Sequence, residues 1–270
     1  MTDLKIGVVG AGGRMGGAVV RQVTETDGCH IVAACETTGN SAIGIDVGQV
    51  AGCGEIGVKV IENAATVFDC ADAVIEFSLP NATTEHADYA GKVGCVHIIG
   101  TTGLTSQDEN ILKFAAERTT IVYAPNMSLG VNILFALTRQ VASMLNDEFD
   151  IEILEMHHRH KVDAPSGTAL GLGKAAAEGR GTTLKEAGIL SREGIMDPRK
   201  SGTIGFATLR GGDVSGDHSV IFAAEGERLE FHHKVGSRQI FARGAVRAAF
   251  WAQNKPKGLY SMFDVLGLEN

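Results

Sequence analysis

The chain has 270 residues, a formal net charge of -8 and a hydrophobic content of 44%. A chain of this length can bury a substantial core and favours two linked domains over one. The negative balance argues against a nucleic-acid partner, which would need a basic surface. The apolar runs are far shorter than the roughly 20 residues that span a bilayer, so we expect no membrane span.

The N-terminus and the cysteines point to a cytoplasmic location. The residues before the first apolar strand are too few for a secretory leader. The cysteine number is odd and no Cys-x-x-Cys pair occurs, which favours reduced packing cysteines over a disulfide framework. A catalytic thiol is the alternative, but the cysteines lie in strand-like or glycine-rich contexts. The five cysteines are Cys29, Cys35, Cys53, Cys70 and Cys95.

The first half of the chain alternates apolar strands with helical stretches such as Ser106–Glu117. This alternation predicts a Rossmann-like, doubly wound parallel sheet of the α/β class, covered by helices on both faces. The predicted strands are Lys5–Val9, His30–Cys35, Ala73–Phe77, Val96–Gly100 and Thr120–Ala124.

A glycine-rich turn follows the first predicted strand and opens a helix. Its glycines are Gly10, Gly12 and Gly16, one residue away from the strict G-x-G-x-x-G spacing, in which Met15 would be the third glycine. Glu36 ends the next strand, twenty residues after Gly16. This context predicts a dinucleotide site with the pyrophosphate at the helix N-terminus and the ribose on the Glu36 carboxylate. The alternative is a merely structural turn.

Two further segments close predicted strands at their carboxyl ends, where ligands bind in open α/β sheets. They are Gly100–Gly103 and Ala124–Ser128. Their small and hydrogen-bonding residues suit a nicotinamide ribose and carboxamide, and ordinary loop chemistry is the alternative.

The second half predicts an α+β domain with a mixed or antiparallel sheet, because glycine-containing turns separate its last three strands. We expect a dinucleotide-binding domain at 1–128, a substrate-binding and oligomerisation domain at 129–238, and a C-terminal helical segment at 239–270 that returns to the first domain. The predicted elements are helices Gly130–Leu145, Ser166–Glu178 and Arg238–Ala252, and strands Asp150–Glu155, Thr203–Arg210, Ser219–Ala224 and Glu227–Lys234.

Three histidines, an arginine and a lysine occupy the five positions from His157 to Lys161, just before a Ser-Gly-Thr helix start. Imidazoles titrate near neutral pH and a helix N-terminus attracts anions, so the run favours acid–base catalysis beside an anion site. A solvated loop is one alternative. A metal site is another, with His158 and His160 on one strand face, but no third ligand is evident and we predict none. We expect His86, His97, His232 and His233 to be packing or satisfied histidines.

These motifs resemble the dihydrodipicolinate reductases of bacterial lysine and diaminopimelate biosynthesis, and the resemblance runs essentially end to end. Two runs are specific to it: Gly10-Ala11-Gly12-Gly13-Arg14-Met15-Gly16 and Glu155-Met156-His157-His158-Arg159-His160-Lys161-Val162-Asp163-Ala164-Pro165-Ser166-Gly167-Thr168-Ala169. Supporting matches are Gly100–Gly103, Ser191–Gly194 and Gly202–Ala207.

The resemblance implies an NAD(P)H-dependent reduction of the cyclic dicarboxylate 4-hydroxy-tetrahydrodipicolinate with loss of water. It implies His157 as proton donor or acceptor, Lys161 as proton donor, and His158 with the backbone of Gly167 and Thr168 as substrate ligands. The implied cofactor-binding residues are Gly10, Ala11, Gly12, Gly13, Arg14, Met15, Glu36, Gly100, Thr101, Thr102, Pro125, Asn126, Met127 and Ser128. It also implies a homotetramer formed through the second-domain sheets.

One departure from the family pattern concerns NADH against NADPH. Members that use NADPH well often carry Arg directly after the acidic residue, whereas Thr37 follows Glu36 here and Arg14 is the remaining nearby cation. We therefore expect NADH to be used at least as well as NADPH. The alternative functions are an NAD(P)-dependent dehydrogenase of another small polar substrate, such as a sugar or amino acid, and a dinucleotide-sensing subunit without turnover.

Overall fold

The computed structural model describes residues 3–268 and divides into two compact units. Unit 1 runs to Leu129 and resumes at Arg238–Leu268, and unit 2 comprises Gly130–Ser237. The first and last predicted domains also include residues 1–2 and 269–270, which lie outside the described residues. Within residues 3–268, no helix combines the length and the apolar character needed to cross a membrane.

Unit 1 is built on a parallel sheet of seven strands in the order β12-β6-β5-β4-β1-β2-β3. The chain fills one side of β1 with β2 and β3 and then the other side with β4, β5 and β6. β1 and β4 therefore form a topological switch point, where doubly wound folds bind ligands. The strands are β1 (Leu4–Val9), β2 (Cys29–Cys35), β3 (Val60–Ile61), β4 (Ala73–Glu76), β5 (Val96–Ile99), β6 (Thr120–Tyr123) and β12 (Gly258–Tyr260).

The helices of unit 1 bury apolar faces against this sheet. In α1 the residues Val19, Val20 and Val23 are fully buried, as the spacing of an amphipathic helix predicts. The helices are α1 (Arg14–Thr24), α2 (Val47–Ala51), α3 (Ala64–Cys70), α4 (Pro80–Val93), α5 (Ser106–Ala116), α9 (Gln239–Ala252) and α10 (Met262–Leu266).

Unit 2 is built on a mixed sheet of five strands in the order β11-β10-β7-β9-β8. β7 pairs antiparallel with β10 and parallel with β9, so the chain crosses over β7 between β9 and β10. The strands are β7 (Asp150–His157), β8 (Gly188–Ile189), β9 (Ile204–Arg210), β10 (Asp217–Ala224) and β11 (Glu227–Lys234), with helices α6 (Leu129–Met144), α7 (Gly167–Gly179) and α8 (Leu184–Ala187).

β7 alternates strictly between partly exposed and buried residues along its length. Its buried face carries Ile151, Ile153, Glu155 and His157. The first two join the core of unit 2 with Leu172 of α7 and Phe206 of β9. The other two place polar groups at the carboxyl end of the same buried face.

The α/β class and the doubly wound sheet with a second, mixed sheet are confirmed. The short elements α2, β3, α3, α8, β8, β12 and α10 were not predicted, because such short segments show little periodicity.

Candidate active site

A cavity of about 450 Å³ opens in unit 1 at the carboxyl ends of β4, β5 and β6 and beside the turn that follows β1. The structure therefore brings together three sequence segments that were predicted separately. The lining residues are Gly13, Arg14, Met15, Phe77, Ser78, Gly100, Thr101, Thr102, Pro125, Asn126, Met127, Arg238 and Phe241.

The turn after β1 presents the N-terminus of α1 to this cavity. Gly13 caps the helix without a side-chain hydrogen bond, and the first turn contains no acidic residue. An N-terminus of this kind favours a phosphate group through its N–H groups and the helix dipole. Gly16 packs directly on the turn, so it has the close-packing role of the third glycine one position later than the strict spacing.

Glu36 lies directly after β2 and next to the glycine turn. Its Oε2 accepts a hydrogen bond from the Gly12 N–H at 3.0 Å, and its Oε1 accepts one from the Thr37 N–H at 2.8 Å. A carboxylate at this place is suited to ribose hydroxyls. The N-terminus of α1, the cavity and this carboxylate together fit a nicotinamide dinucleotide.

Five of the predicted cofactor residues do not line the cavity: Gly10, Ala11, Gly12, Glu36 and Ser128. The side chains of Ala11 and Ser128 are buried.

A buried carboxylate lies under the cavity. Glu76, the last residue of β4, is fully buried and accepts hydrogen bonds from His86 at 2.8 Å and His97 at 2.7 Å. Ser78 also bonds to Glu76. Burial alone would raise the pKa of Glu76, but the two histidines hold that pKa well below its ordinary value.

In unit 2, one connection carries all five residues predicted for chemistry or substrate binding. His157 is the last residue of β7, His158 and Lys161 lie in the loop that follows, and Gly167 and Thr168 begin α7. The metal hypothesis placed His158 and His160 on one strand face, but β7 ends before both of them, so this placement is wrong. The described residues contain no group of three or more potential metal ligands.

The Glu155 carboxylate contacts the His157 ring. The Nδ1 atom of His157 lies 2.5 Å from Oε2 of Glu155, and both residues are buried. Arg210, which pairs in register with His157 across β7 and β9, bonds both oxygens of Glu155 at 2.8 and 2.9 Å. Burial would raise the pKa of Glu155, but the hydrogen bonds from Arg210 and His157 hold it below its ordinary value.

His218 on β10 packs edge-on against His157, with ring centroids 5.1 Å apart. Its Nε2 lies 3.2 Å from Oγ of Ser166, the N-cap residue of α7. Burial, together with the nearby His157, lowers the pKa of His218 to about 4. His218 is therefore a neutral partner at physiological pH.

Lys161 forms an ion pair with Asp163, with Nζ 2.7 Å from Oδ1. The hydrogen bond from Lys161 lowers the pKa of Asp163 below its ordinary value. The Lys161 side chain is 22% exposed, so its cation stays within reach of a ligand from solvent.

Sequence reasoning missed several residues of both sites. Phe77 and Ser78 follow β4 at its carboxyl end, so the rule that selected Gly100 and Pro125 could have found them. Glu155 lies two residues before His157 and therefore on the same strand face, so strand alternation could have identified it. The other missed residues are Arg210, His218, Arg238 and Phe241, which had no local sequence signal.

Comparisons with known proteins match both halves of the chain. Residues 4–127 match the family described as "Dihydrodipicolinate reductase, N-terminus", and residues 130–266 match "Dihydrodipicolinate reductase, C-terminus". The 4-hydroxy-tetrahydrodipicolinate reductase of Chelativorans sp. (strain BNC1) is 53% identical, covering 99% of this chain and 97% of the relative. The enzyme of that name from Rhodopseudomonas palustris (strain BisB18) is 50% identical over 100% of both chains.

Solved structures show the same fold. The dipicolinate-bound dihydrodipicolinate reductase from Paenisporosarcina sp. TG-14 has a TM-score of 0.74 and 22% identity, covering 97% of this chain and 99% of that chain. A C. glutamicum DAP dehydrogenase in complex with DAP has a TM-score of 0.55 and 12% identity, covering 100% of this chain and 97% of that chain. At these identities the likeness concerns the fold alone.

Proposed function

The chain belongs to the dihydrodipicolinate reductase family, and on that premise we propose that it reduces 4-hydroxy-tetrahydrodipicolinate to tetrahydrodipicolinate with NADH or NADPH. The reaction consumes one hydride and one proton and releases one water. It belongs to lysine and diaminopimelate biosynthesis. The observation that carries the proposal is the connection from β7 to α7, which joins His157, His158 and Lys161 to a helix N-terminus.

A bound reduced nicotinamide supplies the hydride. The residues of the chain must then neutralise the charge that develops on the substrate ring. Hydride addition builds negative charge on the substrate, which a neighbouring acid has to neutralise. His157 and Lys161 are the two proton donors that we assign to this task. His157 is held on Glu155, so its proton is delivered from a fixed position.

The two carboxylates of the substrate need fixed donors in a protein that is negative overall. We assign this role to His158 and to the backbone of Gly167 and Thr168, at the first turn of α7. The positive end of the α7 dipole and the Lys161 cation favour a dianion at this connection.

For the dinucleotide, we propose the cavity of unit 1, with the pyrophosphate at the turn from Gly10 to Met15 and the adenosine ribose at Glu36. The segments Gly100–Thr102 and Pro125–Ser128 would contact the nicotinamide half. We propose that NADH serves at least as well as NADPH, because Glu36 repels a 2′-phosphate and Thr37 offers no cation to offset it.

The function is tested by offering the purified protein the product of a dihydrodipicolinate synthase, first with NADH and then with NADPH. We expect oxidation of both dinucleotides in proportion to the substrate supplied. Dinucleotide binding without turnover would favour a sensing subunit. Turnover only with an amino acid or a sugar would favour another dehydrogenase.

We propose a homotetramer in the cytoplasm. Unit 2 exposes several large apolar side chains, which supports association through this unit. Five free cysteines suit a reducing compartment. Light scattering after size exclusion measures the assembly, and fractionation of the source cells locates it. The exposed apolar residues of unit 2 are Ile133, Leu137, Met144, Val162, Leu190, Ile195, Met196, Leu209 and Leu229.

A further inference from the structure

The carboxylate of Glu155 is fully buried on the inner face of β7, two residues along the strand from the apolar Ile153. An ionised carboxylate in such a place is unfavourable unless its oxygens are hydrogen-bonded and its charge is paired. The protein maintains it beside His157, which suggests a role that an apolar residue could not fill.

Four donors surround the Glu155 carboxylate. Oε2 lies 2.5 Å from Nδ1 of His157 and 2.8 Å from Nη1 of Arg210. Oε1 accepts from Nη2 of Arg210 at 2.9 Å and from the N–H of Ser166 at 3.0 Å. The four acceptor positions of an ionised carboxylate are therefore all used.

The contact with His157 determines which ring nitrogen carries the proton. An ionised carboxylate only accepts hydrogen bonds, so Nδ1 of His157 must be the donor in this contact. The neutral ring then carries its proton on Nδ1, and Nε2 is the nitrogen that gains and loses a proton. Gly216 keeps the space beside this atom open, since a β-carbon at Gly216 would lie 3.0 Å from Nε2.

Glu155 also accepts a hydrogen bond from the residue that begins α7. Ser166 is the N-cap of α7, and its Oγ accepts from the N–H of Ala169 at 3.2 Å. Gly167 and Thr168, the proposed ligands of a substrate carboxylate, follow directly. One carboxylate thus holds both the proposed proton donor and the proposed anion site.

We propose that Glu155 is a positioning residue. It fixes His157 in the Nδ1–H tautomer, so that Nε2 exchanges the proton, and its hydrogen bond to Ser166 fixes the first turn of α7 relative to His157. The substrate named for this site rests on the proposed function. The tautomer of His157 follows from its contact with Glu155 and does not depend on that function. The charged or titratable groups facing His157 are Glu155 on its own strand, Arg210 on β9 and His218 on β10.

Glu155→Gln tests the kinetic consequence, because it keeps the shape and one acceptor oxygen but turns an N–H₂ group toward His157 or Ser166. We expect kcat to fall on the order of 10–100-fold, as for other residues that orient a functional histidine. The KM for the dinucleotide should stay within about twofold, because Glu155 belongs to unit 2 and does not line the cavity of unit 1. Glu152→Gln is the matched control, because Glu152 is an ion-paired carboxylate on the opposite face of β7.

The tautomer is measured without substrate, by long-range ¹H–¹⁵N correlation on protein labelled at histidine nitrogens. We expect neutral His157, assigned by its disappearance in His157→Gln, to carry its proton on Nδ1 in the wild type and in Glu152→Gln. In Glu155→Gln the ring should lose this preference. A wild-type ring protonated on Nε2 alone overturns the inference even if Glu155→Gln fails to fold.

The two proposals fail in different ways. A wild type that never reduces 4-hydroxy-tetrahydrodipicolinate removes the proposed function, and the tautomer of His157 still decides the role of Glu155. An active wild type together with a folded Glu155→Gln variant of unchanged kcat removes the role of Glu155 and leaves the function intact.

Discussion

Gly16 lies so close to Gly10 that a β-carbon on Gly16 would come within 2.1 Å of the Gly10 carbonyl oxygen. We expect Gly16→Ala to destabilise the protein by about 3 kcal/mol and to weaken dinucleotide binding, because the contact is with backbone and cannot relax cheaply. Chemical denaturation and dinucleotide titration measure both effects. Gly17→Ala is the control, since its nearest neighbour would lie at 3.6 Å. Equal stability of the two variants would contradict the close-packing role.

Substitution of the proposed proton donors should reduce the rate more than the affinity. We expect His157→Gln and Lys161→Ala each to lower kcat by about 10²–10⁴-fold, the usual contribution of a general acid. Dinucleotide affinity should stay within a few-fold, because neither residue lines the cavity of unit 1. Steady-state kinetics and dinucleotide titration provide the two numbers. Near-normal turnover in either variant removes that residue from the mechanism.

Pyridine-2,6-dicarboxylate should inhibit competitively with the substrate. It presents two carboxylates to His158, Lys161 and the first turn of α7, but it does not accept hydride productively. Inhibition should weaken as salt rises, because a partly exposed Lys161 is screened. Pyridine-2-carboxylate, with one carboxylate, is the control and should bind more weakly. Competition with NADH alone would place the anion site elsewhere.

The dinucleotide preference should change on substitution of Thr37. Its side chain is exposed directly after Glu36. Thr37→Arg should improve NADPH use by about 1–2 kcal/mol through a charge-assisted contact with the 2′-phosphate. Thr37→Gln controls for side-chain length without charge. The measurement is kcat/KM for both dinucleotides. A wild type that prefers NADPH more than about tenfold, which is about 1.4 kcal/mol, would show that other residues recognise the phosphate.

The buried cluster under the cavity should make stability depend on pH. The pKa of Glu76 is lowered in the fold, so its contribution is present above the unfolded carboxyl value near 4.3 and is lost as pH falls through the folded value. The pKa of His86 is raised by Glu76 against burial, so its contribution is present below about 6.5 and is lost as pH rises through the folded value.

We therefore expect Glu76→Gln to lower the free energy of unfolding by about 3–5 kcal/mol at pH 6, because it leaves two histidines without their charged partner. The difference from wild type should shrink below pH 4. The difference between wild type and His86→Gln should shrink on the alkaline side. Denaturation at a series of pH values checks both trends, and a pH-independent difference would exclude the ionic account.

The sequence by itself determined the two-sheet architecture and most of the long elements. Apolar periodicity located β1 to within one residue and placed a helix directly after the glycine turn, and the Gly10–Gly16 turn with Glu36 predicted a dinucleotide site, because these signals are local in the chain. The strand-end rule selected Gly100 and Pro125, which line the cavity. For the run from His157 to Lys161, the sequence showed the residue types but not the groups that surround them.

Only the tertiary structure decided which groups surround His157. Arg210 reaches Glu155 because β9 pairs in parallel with β7 at the register that sets His157 opposite Arg210, and His218 reaches His157 because β10 lies on the other side of β7. Periodicity along one strand fixes which face is buried, but it carries no information about the register with a strand more than fifty residues away. For this reason the three-residue strand β12 also went unpredicted, since its pairing with β6 defines it.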